Sequence, residues 1–178
     1  MKLIDSHAHL MDEQFEDDVE KVIQNAKNNG IEKIVNIGYS KETSIKAIEI
    51  AEKYDFIYAV VGMHPDECNE EVDISFLKEL AQNKKVVAIG EIGLDYHYEG
   101  YNKETQKKYF IEQIKLANEL KLPVVIHSRD ADMDMLEILK NNKIENNFVM
   151  HCFSSSIEIL KEVLKLRSIC INCRTCYV

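Results

Sequence analysis

Short apolar runs rich in isoleucine, valine and alanine alternate with longer segments of helical periodicity along most of the chain. The runs at 31–37, 57–61 and 86–89 are each followed by a segment whose apolar residues recur every three or four positions. Neighbouring parallel strands need a long crossover, which is usually a helix. This alternation therefore predicts an α/β protein with a parallel sheet built from βα units.

The sequence predicts six such units. The predicted strands cover residues 2–4, 31–37, 57–61, 86–89, 123–126 and 147–150. The helices after them are predicted around residues 15–26, 45–51, 74–80, 103–120, 133–139 and 157–164. Ser155 and Glu158 have the spacing of a capping box for the last of these helices. The chain thus supplies six βα units and part of a seventh strand.

The first predicted strand delivers two histidines to one face. Side chains alternate along a strand, so His7 and His9 project the same way. Neutral imidazole is the commonest metal ligand in proteins. Asp5 lies beside them, and we expect it to support a ligand by accepting a ring N–H. A His-x-His pair alone is a weak signal, and its meaning depends on further ligands elsewhere in the sheet.

Further ligand-type residues follow four of the other predicted strands. In a (β/α)₈ barrel the carboxyl ends of the strands form the rim on which active sites are built. We therefore predict that these residues converge on a metal site. The candidates at this rim are His7, His9, His64, Glu91, His127 and His151.

Four imidazoles and one carboxylate suit borderline divalent metals such as Zn²⁺, Mn²⁺ or Ni²⁺, and the two oxygens of Glu91 can bridge two ions. Two ions about 4 Å apart can clamp a phosphate and activate a water molecule. Glu91 is thus the candidate catalytic residue. His64 and Arg129 are candidates for binding the negative charge of the substrate, with a loop hydrogen bond or a surface ion pair as the alternative for each.

The composition limits the partners that the chain can have. Its 178 residues carry a formal net charge of -9, so the broad cationic surface of a general nucleic-acid binder is absent. Attraction for a phosphodiester must then come from cations in the site itself. The early charges at Lys2 and Asp5 argue against a signal peptide, and the scattered Cys68 and Cys152 do not resemble a disulfide framework. We expect a cytoplasmic protein with a single domain.

Five short motifs occur in order over residues 1–166. They are Asp-Ser-His-Ala-His at 5–9, Gly-Met-His-Pro at 62–65, Gly-Glu-Ile-Gly-Leu-Asp-Tyr at 90–96, His-Ser-Arg at 127–129 and Met-His-Cys-Phe-Ser at 150–154. Together they resemble the TatD family of metal-dependent deoxyribonucleases. The resemblance implies a TIM-type (β/α)₈ barrel of the metal-dependent hydrolase superfamily, with exonuclease activity on DNA.

The resemblance also implies how the ligands divide between two divalent ions, which would be Mg²⁺, Mn²⁺, Zn²⁺ or Ni²⁺. His7 and His9 would hold one ion, His127 and His151 the other, and Glu91 would touch both. His64 would lie on the substrate side. Members of the family supply a further metal-binding aspartate in a Glu-Thr-Asp-type motif after the sixth unit, and no residue here has that role. We therefore expect the ion of His7 and His9 to be the weaker or absent one.

The last twelve residues, 167–178, form an atypical tail with three of the five cysteines. Cys170, Cys173 and Cys176 have the C-x₂-C-x₂-C spacing of part of a zinc or iron–sulfur site. An alternative is that the reading frame changes after about Leu166 and that the chain ends early, which sequencing of the gene would test. A complete barrel of this type needs about 250 residues. An incomplete barrel has open sheet edges, from which we expect self-association.

Two other functions are compatible with the same rim. A small-molecule amidohydrolase can use the same His-x-His strand, although Glu91 on strand four favours the nuclease-like group over sites with a lysine there. A catalytically inactive fragment that binds metal is the second alternative, because of the missing aspartate. Assays of DNA against amide and lactone substrates, together with metal titration, separate the three.

Overall fold

A computed structural model describes residues 2–166 and 168–170. Seven parallel strands form one sheet in the order β1 to β7, and helices α1 to α6 connect them. The strands are β1 (Leu3–Ala8), β2 (Ile31–Ile37), β3 (Ile57–Val61), β4 (Val86–Asp95), β5 (Val124–Arg129), β6 (Phe148–Met150) and β7 (Ser168–Cys170). The helices are α1 (Val19–Asn28), α2 (Lys41–Lys53), α3 (Phe76–Leu80), α4 (Lys103–Leu120), α5 (Asp132–Asn141) and α6 (Ile157–Lys165).

The strand order follows the chain order, as in a TIM-type barrel. Within the described residues there are six βα units and a seventh strand, which confirms the predicted α/β class and the incomplete (β/α)₈ barrel. None of the helices in these residues is both long and apolar enough to cross a lipid bilayer.

The two faces of the sheet bury different sets of side chains. One face packs under the helices and contributes most of the core, including Ile89 and Ile126. The opposite face carries a small second cluster with one residue from each of four neighbouring strands: Ile37, Val60, Ala88 and Val125. His127 lies two positions after Val125 and therefore points from this second face. The candidate site is thus built on the side of the sheet away from the helices.

Several predicted bounds differ from the structure. β4 does not end at residue 89 but continues to Asp95, so Glu91 lies inside the strand. The first helix begins at Val19, and Phe15 belongs to a separate 3₁₀ turn. Ser156, not Ser155, caps α6, because the Ser156 side chain accepts the backbone N–H of Ile159 at 3.3 Å. Of the predicted cysteine motif of the tail, Cys173 and Cys176 lie outside the described residues.

Candidate metal centre at the strand ends

Glu91 lies at the centre of the candidate site and is 3% exposed. Its oxygen Oε2 faces the first histidine pair, at 3.2 Å from His7 Nε2 and 3.9 Å from His9 Nε2. Its oxygen Oε1 faces the second pair, at 3.0 Å from both His127 Nδ1 and His151 Nε2. One carboxylate therefore presents a separate oxygen to each pair of imidazoles.

The two pairs are also in contact with each other. The rings of His7 and His151 stack with 3.7 Å between their centroids and an angle of 12° between their planes. These residues are 144 positions apart in the chain, on β1 and directly after β6. The curled sheet brings the ends of its first and sixth strands together, although they are not neighbours in the sheet. All five predicted metal ligands are thus in one cluster.

The ionisation of Glu91 depends on its histidine partners. Burial acts to raise the pKa of Glu91, but hydrogen bonds from His127, His151 and His7 outweigh it and hold this pKa well below the usual range. The carboxylate is therefore charged in a place where an isolated charge would be costly. Such a buried anion requires cationic partners, whether protonated imidazoles or metal ions.

His127 contacts two carboxylates at once. Its Nδ1 faces Glu91, and its Nε2 lies 2.8 Å from Oδ2 of Asp95, which is 2% exposed. Burial lowers the pKa of His127, but Asp95 and Glu91 outweigh burial and raise it to about 9. The ring is an imidazolium that donates to both acids, and it must lose a proton before it can bind a metal ion.

Asp95 is a residue of the site that the sequence analysis quoted in a motif but gave no role. It lies four positions after Glu91 on β4, and its other oxygen, Oδ1, accepts the backbone N–H of His97 at 2.9 Å. An even spacing in a strand directs two side chains to one face. That spacing was the available signal, but the predicted end of the strand at residue 89 concealed it.

His64 is predicted to bind substrate, and the structure places it within the same cluster. Its ring lies edge-on to His127, with 4.4 Å between the centroids. Burial and the neighbouring His127 lower the pKa of His64 to about 4, so the ring is neutral. Potential ligand atoms of His64, Glu91 and His127 lie within 4.8 Å of one another. His64 is thus positioned to bind either a metal ion or a substrate group.

Two buried glutamines of α4 hold the strand ends in place. Gln113 accepts the backbone N–H of Met63 at 2.8 Å and donates to its carbonyl at 3.1 Å, directly before His64. Gln106 accepts the backbone N–H of Asp95 at 3.0 Å. The two glutamines are seven positions apart, which places them on the same side of a helix. The sequence analysis missed them because it followed only the apolar stripe of this helix.

Glycines allow the strands under the site to approach closely. A Cβ on Gly93 would lie 1.9 Å from the carbonyl oxygen of His127, and the φ angle of Gly93 is +145°. A Cβ on Gly62 would lie 2.4 Å from the carbonyl oxygen of Gly90. Only glycine fits at these positions, because both contacts are with backbone atoms. These close contacts bring the β3, β4 and β5 ends within reach of one another.

The ring of His9 is oriented by a backbone carbonyl. His9 Nδ1 lies 2.8 Å from the carbonyl oxygen of Ile37, so in the neutral ring Nδ1 donates and Nε2 carries the free lone pair. The nearby Asn36 side chain accepts the backbone N–H of Leu10 at 2.8 Å and fixes the turn after β1. The predicted ring contact of Asp5 is wrong. Asp5 Oδ1 accepts the backbone N–H of His7 at 3.1 Å, and among the described residues His7 Nδ1 has no hydrogen-bond partner.

The chemistry of these donors fits a cation. With Nδ1 bonded to Ile37, the lone pair of His9 Nε2 faces His7 Nε2 at 3.1 Å and the Glu91 carboxylate at 3.9 Å. Burial lowers the pKa of His7, so this ring favours its neutral, ligating form. A proton on His7 Nε2 can be donated either to His9 Nε2 or to the Glu91 carboxylate, but not to both. A divalent ion can accept all three lone pairs at once. His7, His9 and Glu91 therefore form a group that can hold a metal ion.

Arg129 lies at the edge of this cluster rather than inside it. Its Nη1 donates to the hydroxyl of Tyr98 at 3.2 Å, and its guanidinium lies 5.2 Å from the centre of the Tyr98 ring. The predicted role of Arg129 in binding substrate charge is not tested by this contact. The position beside the metal ligands is compatible with that role.

Comparison with known proteins identifies the family. The model of the family described as TatD related DNase matches residues 4–174. The chain belongs to the TatD-related DNase family. The resemblance predicted from the five motifs is confirmed.

Other members of the TatD family are named as metal-dependent hydrolases. The chain is 46% identical over 167 residues to the Bacillus subtilis protein named uncharacterized metal-dependent hydrolase YabD, covering 92% of this chain and 66% of that protein. A crystal structure of the TatD homolog YjjV from Escherichia coli superposes with a TM-score of 0.87 at 32% identity, covering 94% of this chain and 66% of that one. The chain thus spans about two thirds of the length of these relatives.

A more distant structure supports the fold alone. An amidohydrolase from Saccharomyces cerevisiae, described as uncharacterized, superposes with a TM-score of 0.81 at 24% identity. It covers 96% of this TatD-family chain and 67% of that chain.

Proposed function

We propose that this chain carries the centre of a metal-dependent phosphodiesterase that removes nucleotides from the ends of DNA. The observation that carries the proposal is the division of Glu91 between two histidine pairs. Oε2 faces His7 and His9, and Oε1 faces His127 and His151. A carboxylate with one oxygen toward each of two ligand pairs has the arrangement expected of a bridge between two divalent ions.

Bound divalent ions would acidify water and neutralise the charge of a phosphate, and Mg²⁺, Mn²⁺, Zn²⁺ and Ni²⁺ are the candidates. His7 and His9 would bind one ion and His127 and His151 the other. Asp95 would orient His127 and accept its ring N–H, as carboxylates do for metal-bound histidines.

The remaining residues would act on the substrate. His64 Nδ1 accepts the backbone N–H of Asp66 at 3.2 Å, so the neutral ring carries its proton on Nε2 and can donate it to a substrate oxygen without adding charge to the cluster, since its pKa of about 4 lies well below neutrality. Arg129 carries a permanent charge at the edge of the site and can bind a phosphate oxygen. DNA is favoured as the substrate by the description of the family, TatD related DNase.

The test combines metal binding with hydrolysis of a labelled single-stranded oligonucleotide. We expect calorimetry to detect Mn²⁺ binding to chelator-treated protein, and we expect stepwise shortening of the oligonucleotide that stops when chelator is added. Glu91→Gln should abolish the hydrolysis and weaken Mn²⁺ binding at least about 100-fold. Glu79→Gln, which removes an exposed carboxylate on α3, is the matched control and should change neither.

Each alternative has its own outcome. Hydrolysis of amide or lactone substrates with an unchanged oligonucleotide would support a small-molecule amidohydrolase. One weakly bound ion with no hydrolysis of any substrate would support an inactive metal-binding fragment. The expected self-association and cytoplasmic location stay predictions.

A further inference from the structure

Tyr98 is an exposed aromatic residue next to the metal centre. It lies in the loop between β4 and α4 and is 58% exposed. A tyrosine combines a flat apolar ring with a polar hydroxyl, and such side chains are enriched at binding surfaces. Within residues 2–166 and 168–170 no hydrogen bond or ring contact joins Tyr98 to a metal-ligand candidate, and the proposed function does not use it.

The position of Tyr98 is tied to the metal ligands through Asp95. One oxygen of Asp95 contacts the ring of His127 at 2.8 Å, and the other accepts the backbone N–H of His97 at 2.9 Å. His97 precedes Tyr98, packs edge-on against its ring at 4.9 Å and pairs with Asp130 at 2.8 Å. The loop that carries Tyr98 is therefore held at a defined place beside the site.

Arg129 gives the ring a cationic neighbour. Its guanidinium lies 5.2 Å from the ring centre, and its Nη1 donates to the phenol oxygen at 3.2 Å. Arg129 itself is two residues after the metal-ligand candidate His127 on β5. A guanidinium binds phosphate oxygens and an aromatic ring stacks on nucleobases. Together, the two side chains can bind the phosphate and the base of one nucleotide.

Tyr101, in the same loop, differs from Tyr98 because its ring already has a stacking partner. Tyr101 stacks on Tyr96 with 4.8 Å between the centroids and an angle of 19°, and Lys103 lies 4.5 Å from the centre of the Tyr96 ring. The stacking partner of Tyr101 is thus within the chain. Tyr98 has no parallel stacking partner among residues 2–166 and 168–170.

We propose that Tyr98 and Arg129 form a nucleotide subsite, in which the Tyr98 ring stacks on a base of single-stranded DNA and Arg129 binds the adjoining phosphate. The subsite rests on the proposed phosphodiesterase function and adds to it the group that recognises the base. It is tolerant of sequence, because every nucleobase offers a flat face for stacking.

Calorimetry with two ligands measures the contribution of the base to the binding affinity separately from that of the phosphate. Thymidine 5′-monophosphate and 2-deoxyribose 5-phosphate share the charged group, and only the first has a base. In excess Mn²⁺ the wild-type chain should bind the nucleotide about tenfold more tightly, the size expected for one stacked base. Tyr98→Ala should remove this preference and leave binding of the sugar phosphate unchanged.

Two further variants separate stacking from other roles of the ring. Tyr98→Phe keeps the flat ring beside Arg129 and loses only the hydroxyl that accepts from Arg129 Nη1, so the affinities for both ligands should stay close to those of the wild type. If Tyr98 only positions Arg129, this variant will instead weaken both ligands equally. Tyr101→Leu perturbs the same loop and should retain the preference.

Equal affinity of the wild type for the two ligands would overturn the subsite, and so would a preference that survives Tyr98→Ala. Failure of the proposed function gives a different result. In that case the wild type prefers the nucleotide but does not shorten an oligonucleotide.

Discussion

The two halves of the candidate site rest on very different strands. Glu91 lies on β4, which pairs with β3 and β5 and has nine of its ten residues buried. His7 lies on β1, which among the described strands pairs with β2 alone and has four of its six residues exposed. Candidate metal ligands therefore stand on a buried central strand in one case and on an exposed outer strand in the other.

This difference shows that ligand type and ligand support are separate properties. On the central strands, the backbone of Asp95 and the segment before His64 are held by buried glutamines. At β1, His9 is oriented by one carbonyl and His7 by stacking on His151. Local stability is highest where apolar burial and hydrogen bonding are dense. Substitutions at the centre should therefore have larger effects than equivalent ones at the edge.

The largest expected difference is between the two carboxylates, Glu91 and Asp5. Glu91→Gln removes the charge shared by both histidine pairs, and we expect Mn²⁺ affinity to fall at least about 100-fold, the upper end of what loss of an outer metal partner costs. Asp5→Asn keeps an oxygen that can accept the His7 backbone N–H, and affinity should change little. Calorimetric titration measures both. Equal losses of Mn²⁺ affinity would show that the carboxylate on β1 is as important for metal binding as the one on β4.

The second comparison is between two glycines with positive φ. Gly93→Ala places a Cβ 1.9 Å from the His127 carbonyl oxygen, and we expect the free energy of unfolding to fall by about 3 kcal/mol. Gly100→Ala meets no atom within 4 Å, so only backbone strain remains and the cost should be about 1 kcal/mol. Urea unfolding monitored by circular dichroism measures the two values. Similar values would mean that the central strands can move apart.

The third comparison uses one histidine from each half in metal-free protein. His127→Ala removes a partner 3.0 Å from the buried Glu91 and should lower the free energy of unfolding by about 2 kcal/mol, less than complete loss of the partners of a buried charge. His9 is 3.9 Å from Glu91, so His9→Ala should cost less than about 1 kcal/mol. Chelator-treated samples in urea provide the test. A greater loss for His9→Ala would reverse the ranking of the two halves.

The smallest expected effect is on pH dependence. The pKa of His127 is raised to about 9 in the folded chain, from 6.5 in the unfolded one. Its stabilisation is therefore complete below pH 6.5 and lost as the pH rises through about 9. The stability advantage of the wild type over His127→Gln should therefore shrink as the pH rises over that range. Urea midpoints of both chains at several pH values measure it, and a difference that grows with pH would contradict the assigned charge.

Much of the element order followed from local patterns. The bounds of β2 (Ile31–Ile37), β3 (Ile57–Val61) and α4 (Lys103–Leu120) match the predicted ranges. In β2 and β3, β-branched residues fill short runs between polar or turn-forming segments, and in α4 the helical period continues over five turns. These signals act between near neighbours in the chain, so the sequence expresses them directly.

The end of β4 could not be found in the same way. Gly90 and Gly93 interrupt the apolar run, and isolated glycines in a strand pattern usually mark its weakening. In the folded chain Gly93 lies against the carbonyl oxygen of His127, so the glycine serves a close approach between strands and not a turn. This role of Gly93 can be recognised only when the position of the neighbouring strand β5 is known.

The sequence by itself determined that ligand-type residues follow successive strands of a parallel sheet, because periodicity and turn signals are local. The tertiary structure decided which oxygen of Glu91 meets which histidine pair, and that Asp95 joins His127 to the loop of Tyr98. Those contacts join residues more than 30 positions apart. They depend on the curl of the sheet and on close strand packing, which no short stretch of sequence encodes.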